Sequence, residues 1–327
     1  MDRNKTVAIA VAAIVIGSIG FVAFWYPSTV PDVRIGYLSQ DLHQLALKVA
    51  VENGWFEEAG IKVELTQYGN GAYEMDGFFA GQIDMGYLGA APALVKSINQ
   101  ESMITILAAA NLEGSAIMVS KAEFDAGRVT TIEDLAGKTV YYPGPSTVQA
   151  FLLRMALNQS GMTIDDIIPT TISPAYMEDS LTQDAPAFII WEPFAAKAEG
   201  SGAAVVLKQS SEIWPNHPCC VLASSNSFMA ANPELVEKIV EIHYRAENWI
   251  VANPTNATEI AIDWLEMDTA VVESAFNNII YDFQVNRTGI QMYLEFLIYE
   301  EQVDMELTEV ESFLDGFIDT SIVDAIP

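Results

Sequence analysis

Val33-Arg34-Ile35-Gly36-Tyr37-Leu38 reads as a strand; from about Gln44 onward Leu45, Val49 and Phe56 recur near helical spacing, and Gly60 closes that helix. Ile61 to Gln67 then alternates as a second strand and runs into the loop Gly69-Asn70-Gly71. This strand–helix–strand unit decides the fold class. It requires a right-handed crossover, and hence a mostly parallel, helix-covered sheet. Met85 to Leu88 and Ile104 to Ala109 supply further short strands.

A second cycle begins after Ser120. Thr131 to Leu135 predicts a short helix ended by Gly137, and Thr139 to Tyr142 a strand. Pro143-Gly144-Pro145-Ser146-Thr147 opens a helix reaching about Asn158, and Ala187 to Trp191 and Ala204 to Leu207 complete a smaller sheet. Cys219 to Ala223 then reads as a strand returning to the first lobe. The remainder is helical, with Ile290, Tyr293, Leu294, Leu297 and Ile298 on one face. Two crossings, near Val119–Lys121 and Trp214–Cys219, place a cleft between two α/β lobes. Residues 31–120 and 219–327 form the first lobe and residues 121–218 the second.

Residues 1–30 differ from all that follows. Arg3 and Lys5 precede an uncharged apolar run from about Val7 to Tyr26, ended by Pro27. Some 20 such residues at ~1.5 Å each span a bilayer core. The basic flank puts the N-terminus in the cytoplasm and the rest outside. The run ends in Phe24-Trp25-Tyr26 rather than at small residues, which favours an uncleaved anchor over a cleaved signal. The expected location is therefore the extracytoplasmic face of the cell membrane, or secretion if the segment is a signal.

The 327 residues carry a formal charge of −29. Such a surface repels nucleic acid and anionic lipid, so nucleic-acid binding is excluded. Ala136-Gly137-Lys138-Thr139 fails as a phosphate loop because Ile132 stands where that motif needs glycine. His43, His217 and His243 lie far apart in the chain, and no catalytic motif surrounds them. The two cysteines, Cys219 and Cys220, are neighbours without zinc-type spacing. Neighbouring side chains in a strand point to opposite faces, which makes an ordinary disulfide between them improbable and leaves buried, apolar-like thiols as the expectation. No catalysis, metal or cofactor is expected.

Three loops suit an oxyanion. Gly69-Asn70-Gly71-Ala72-Tyr73, Tyr87-Leu88-Gly89-Ala90-Ala91-Pro92 and Pro143-Gly144-Pro145-Ser146-Thr147 each lead into a helix, whose first N–H groups lack partners within the helix.

These segments also resemble a known family. Arg34-Ile35-Gly36-Tyr37, Asn53-Gly54-Trp55-Phe56-Glu57-Glu58-Ala59-Gly60-Ile61 and Gly81-Gln82-Ile83-Asp84-Met85-Gly86-Tyr87 with Pro92 look like the opening lobe of the sulfonate/taurine/nitrate/bicarbonate substrate-binding proteins. Glu133-Asp134-Leu135-Ala136-Gly137-Lys138-Thr139-Val140 and Ile190-Trp191-Glu192-Pro193-Phe194 continue the series. The resemblance implies a two-lobed type II periplasmic-binding-protein fold, an expected monomer, and delivery of a small-molecule ligand to an ABC permease and its ATPase. Gln183-Asp184-Ala185-Pro186-Ala187 and His217-Pro218-Cys219-Cys220 depart from the family pattern.

Carried over by position, the ligand shell draws on His43, Gln44, Gly71, Tyr73, Tyr87, Gly89, Ala90 and Asn111 in the first lobe. Ser146, Thr147, Trp191 and Glu192 face them from the second, and His217 stands at the hinge. Trp191 is expected to pack on an apolar part of the ligand, and Glu192 to accept from an ammonium or hydroxyl. The cleft loops lack Arg and Lys, so a monoanion such as a sulfonate ranks first, the zwitterion taurine second and a neutral heterocycle third. The alternative is a same-fold enzyme of thiamine-pyrimidine or menaquinone-precursor metabolism, with His43 as its active group.

Overall fold

The structure, a computed structural model, describes residues 30–100 and 104–326. The basic-then-apolar opening segment lies outside the described residues. Among those described, no helix is long and apolar enough to cross a membrane.

The strands are β1 (Val33–Leu38), β2 (Val63–Tyr68), β3 (Met85–Gly89), β4 (Ile104–Glu113), β5 (Ser115–Ser120), β6 (Thr139–Tyr142), β7 (Ile168–Thr171), β8 (Ala187–Trp191), β9 (Ala204–Gln209), β10 (Pro218–Ser225) and β11 (Ile279–Ile280). They form two sheets, ordered β11-β4-β10-β3-β1-β2 and β7-β6-β8-β5-β9. Central strands β3 and β8 are buried along their whole length, which explains why Met85–Gly89 and Ala187–Trp191 are almost entirely uncharged runs.

The sheets are mixed rather than mostly parallel. β1 pairs in parallel with β2 and β3, and β6 with β7 and β8. The strands that carry the chain between lobes run the other way. β10 lies antiparallel to β3 and β4, and β5 antiparallel to β8 and β9. The first passage therefore falls at Gly114, between β4 and β5, and not at Val119–Lys121 as read from the sequence. Residues 115–120 belong to the second sheet. Gly114 sits at φ +82°, where an L side chain is strained, and a Cβ there would lie 2.3 Å from the His43 ring. One glycine thus lets the chain leave one sheet and join the next. The second passage, between β9 and β10, falls at residues 210–217 and overlaps the Trp214–Cys219 read from the sequence.

The helix read from Gln44 to Gly60 is broken. A 3-10 turn (Leu42–Gln44) leads into Leu45–Glu52, and Gly54 at φ 69° separates that helix from Trp55–Glu58. The last predicted amphipathic face holds: Arg287–Tyr299 buries Ile290, Tyr293, Leu294 and Leu297, each burial contributing about 1.5–3 kcal/mol. That helix also meets the second lobe. Phe151, on the helix Val148–Gln159, packs edge-on against Tyr293 and Phe296 at centroid distances of 4.3 and 4.5 Å.

Candidate functional site

Between the two sheets lies a cavity with about 20 Å³ of free space, room for a water or two. Three helix N-termini border it. Asn70 caps the helix Gly71–Phe79, its Oδ1 accepting from Tyr73 N at 3.0 Å, and both Asn70 and Gly71 line the cavity. The helix Ala90–Gln100 starts directly after β3, and Gly89 and Pro92 line the same space. From the second lobe, Thr147 caps Val148–Gln159, and Thr147, Val148 and Gln149 complete the wall. Positive helix ends from both lobes therefore point into one space.

The floor is built differently. After β1, Asp41 accepts from His43 N through Oδ1 at 2.9 Å and so fixes the turn that carries His43. The His43 ring spans the hinge. Its Nε2 lies 2.9 Å from the Gly114 carbonyl, which can only accept, so the ring proton sits on Nε2 and Nδ1 faces the cavity floor. There Nδ1 lies 3.4 Å from Cys219 Sγ and 3.9 Å from Cys220 Sγ, and the two sulfurs are 4.0 Å apart. Asp41 Oδ1 is 3.5 Å from the same nitrogen. All four residues are buried and all line the cavity.

The thiols are free and buried as expected, but their surroundings are not apolar. The register of β10 against β4 shifts on both sides of Cys220. The Asn111 side chain fills the ladder at that point, with Oδ1 accepting from Cys220 N at 3.0 Å. A bulge re-aims side chains that a regular strand would alternate. Both sulfurs consequently reach one imidazole.

The electrostatics follow from the packing. A contact with Cys220 holds the Cys219 thiol well below its ordinary range, burial opposing this and His43 reinforcing it. Cys220, beside Cys219 and buried, is pushed well up. Burial works against a charged His43, but Cys219 and Asp41 together raise it to about 9. Burial lifts Asp41 to about 6 against the pull of His43.

Of the residues chosen from the sequence, His43, Gly71, Gly89, Thr147 and Trp191 line the cavity. Trp191 Nε1 is buried without a hydrogen-bond partner among the described residues. The Thr147 hydroxyl is already engaged, donating to Gly144 O at 2.8 Å and accepting from Ala150 N at 3.3 Å. The others do other work. Gln44 Oε1 accepts from Leu38 N at 2.7 Å, tying down the loop after β1. Tyr73 is 62 % exposed and away from the cavity. Tyr87 is a core residue whose hydroxyl meets His243 Nδ1 at 3.1 Å. Ala90 and Ser146 do not line the cavity, and Asn111 supports β10 from behind. Glu192 accepts from Ala196 N at 3.0 Å and from Asn278 Nδ2 at 2.7 Å, so both its oxygens are engaged by the backbone and the C-terminal segment. His217 packs under Tyr293, whose hydroxyl lies 3.3 Å from Nδ1. Sequence reasoning missed Asp41, Gln149, Cys219 and Cys220. The His217-Pro218-Cys219-Cys220 departure from the family pattern was the one signal pointing to the thiols.

Two α/β lobes joined at Gly114 and residues 210–217, with the cavity between them, define the two-lobed periplasmic-binding-protein fold. Residues 27–264 match the NMT1-like family, and the chain belongs to that family, in agreement with the motif resemblance. Among similar proteins, one from Brucella abortus described as a binding protein is 26 % identical over 250 residues, 75 % of each chain. The taurine-binding periplasmic protein of Escherichia coli is 24 % identical over 73 % of this chain and 72 % of its own. The periplasmic nitrate-binding protein NrtA of Synechocystis superposes with a TM-score of 0.80 at 15 % identity, covering 90 % of this chain and 88 % of its own.

Proposed function

We propose that this chain is an extracytoplasmic solute-binding protein that closes its lobes on a small monoanion or zwitterion, a sulfonate or taurine first, and delivers it to an ABC permease driven by its ATPase. The convergence of helix N-termini from both lobes on one cavity carries this reading. Unpaired amides at a helix end hold a single negative charge without a basic side chain, and no Lys or Arg lines the cavity. Trp191 Nε1 adds a buried donor in search of an acceptor. The free space is too small for a sulfonate group, so loading requires the lobes to part. We assign the protein no catalysis.

Calorimetry of the full chain with taurine, ethanesulfonate and nitrate tests the proposal. One of them binds with 1:1 stoichiometry, and Trp191→Phe, which removes the donor together with part of the indole ring, weakens it roughly tenfold. Absence of binding by all three, together with no small anion copurifying by native mass spectrometry, overturns it.

A further inference from the structure

We infer that His43, Cys219 and Cys220 form a binding site for a thiophilic divalent cation of the zinc class, set in the cavity floor with one coordination position left to the cavity. The three donor atoms are already spaced as such an ion requires. Metal–sulfur bonds of ~2.3 Å and a metal–nitrogen bond of ~2.0–2.1 Å, at tetrahedral angles, separate two sulfurs by ~3.8 Å and a sulfur from the nitrogen by ~3.5 Å. The distances found are 4.0 Å between the sulfurs and 3.4 and 3.9 Å from them to Nδ1. The ion fits with movements of a few tenths of an ångström.

The surroundings are arranged as metal sites arrange them. The Gly114 carbonyl fixes a proton on Nε2 and leaves Nδ1 facing the thiols, the same outer hydrogen bond that orients metal-bound histidines. Asn111 holds the bulge that brings two adjacent cysteines to one side. Without a ligand in common, burying two thiols and an imidazole in mutual contact has no packing advantage over apolar side chains of similar size. Three protein ligands fall one short of a closed tetrahedral set, the arrangement of sites that accept an exogenous fourth ligand. All three residues border the cavity, so that fourth position belongs to whatever occupies it. Asp41, 3.5 Å from Nδ1, and a formal charge of −29 both favour a cation there. Binding displaces to solvent whatever protons the two thiols and Nδ1 hold and leaves the oxidation state of both sulfurs unchanged. All three ligands belong to the first lobe, Cys219 and Cys220 within β10 and His43 on the turn after β1. The site therefore shares a cavity with the proposed solute but does not rest on that reading.

The experiment uses the full chain, reduced and stripped of metal. Zn²⁺ is titrated in competition with a chromophoric chelator, and Co²⁺ serves as the optical probe. One Zn²⁺ binds per chain, and Co²⁺ gives thiolate-to-metal charge-transfer absorption with the intense visible bands of a four-coordinate site. Cys219→Ser, Cys220→Ser and His43→Gln each weaken Zn²⁺ binding by at least about 100-fold. Thiol protection in the unmutated chain supplies a readout independent of variant folding: Zn²⁺ blocks iodoacetamide addition at both cysteines, counted by mass spectrometry, and Mg²⁺ does not. Alkylation at the same rate with and without Zn²⁺, or wild-type Zn²⁺ affinity in a folded Cys219→Ser/Cys220→Ser chain, overturns the inference. Failure of every test anion to bind would count against the solute reading and leave these readouts standing.

Discussion

Glu192 shows how a residue in the right motif can already be engaged by its own chain. Its place beside Trp191 marks it as a ligand acceptor in the sequence, yet its carboxylate spends one oxygen on Ala196 N and the other on Asn278 Nδ2. Glu192→Gln replaces one acceptor by an amide that faces a donor, leaving a buried pair unmade. The expected cost is about 1–3 kcal/mol in chemical denaturation, with the ratio of taurine to ethanesulfonate affinity unchanged. A shift in that ratio with stability intact would return Glu192 to the ligand shell. At this scale, legibility depended on whether local geometry was regular. His43, Gly71, Gly89, Thr147 and Trp191 follow strand ends or open helices, and strand ends and helix starts are visible in hydrophobic period and turn residues. Cys219 and Cys220 were illegible, because the shift that brings them together depends on the Asn111 side chain from another strand, 109 positions away. Period-2 alternation has no term for such a partner.

Among elements, the decisive contact is between β3 and the helix Val148–Gln159. A Cβ on Gly89 would meet the Pro92 ring at 3.1 and 3.2 Å and, across the cavity, Val148 Cγ2 at 3.2 Å. Pro92 is rigid and helical, so relief must come from the second-lobe helix moving outward. Gly89→Ala is therefore expected to weaken solute binding by roughly tenfold while leaving the circular-dichroism spectrum of the free protein unchanged. Equal affinity would mean the helix end does not approach β3 in the loaded form. The elements themselves were mostly legible: β1, β3, β6 and β8 fall within a residue of the runs that announced them. β5 was not. Only Gly114 separates it from β4, and nine of β4's ten residues and five of β5's six are buried. A passage between sheets inside so continuous a buried stretch leaves no polar loop to mark it. β7, with only one half-buried residue, lacks the apolar pattern that announces a strand.

For the whole molecule, the charge that excluded nucleic acid also governs stability, together with carboxyls that the sequence could not show to be buried. Glu247 has no hydrogen-bond partner for either oxygen among the described residues, and burial raises both Glu74 and Glu247 well above the usual carboxylate range. Burial raises Glu192 as well. A carboxyl whose pKa is higher folded than unfolded binds its proton more tightly in the native state. Its contribution is present below the ordinary carboxylate range and is lost as pH rises toward the folded value. His243, lowered to about 4 by burial, and His217, also lowered by burial, act in the opposite sense, but only up to the ordinary histidine range near 6.5. Above the ordinary histidine range the carboxyls act without that opposition, because the raised His43 and the lowered Cys219 shift in senses that offset each other. Calorimetric Tm is thus expected to fall from pH 6.5 to pH 8. Self-repulsion of the acidic surface predicts the same direction, and salt separates the two causes. In 1 M salt the screening length is ~3 Å, which silences the surface but not a buried carboxyl. Glu247→Gln should raise Tm at pH 8 by about 3 °C or more, and should do so equally in low and high salt. A gain that vanishes in 1 M salt would assign the pH dependence to the surface, and no gain at all would mean that Glu247 finds a partner in solution.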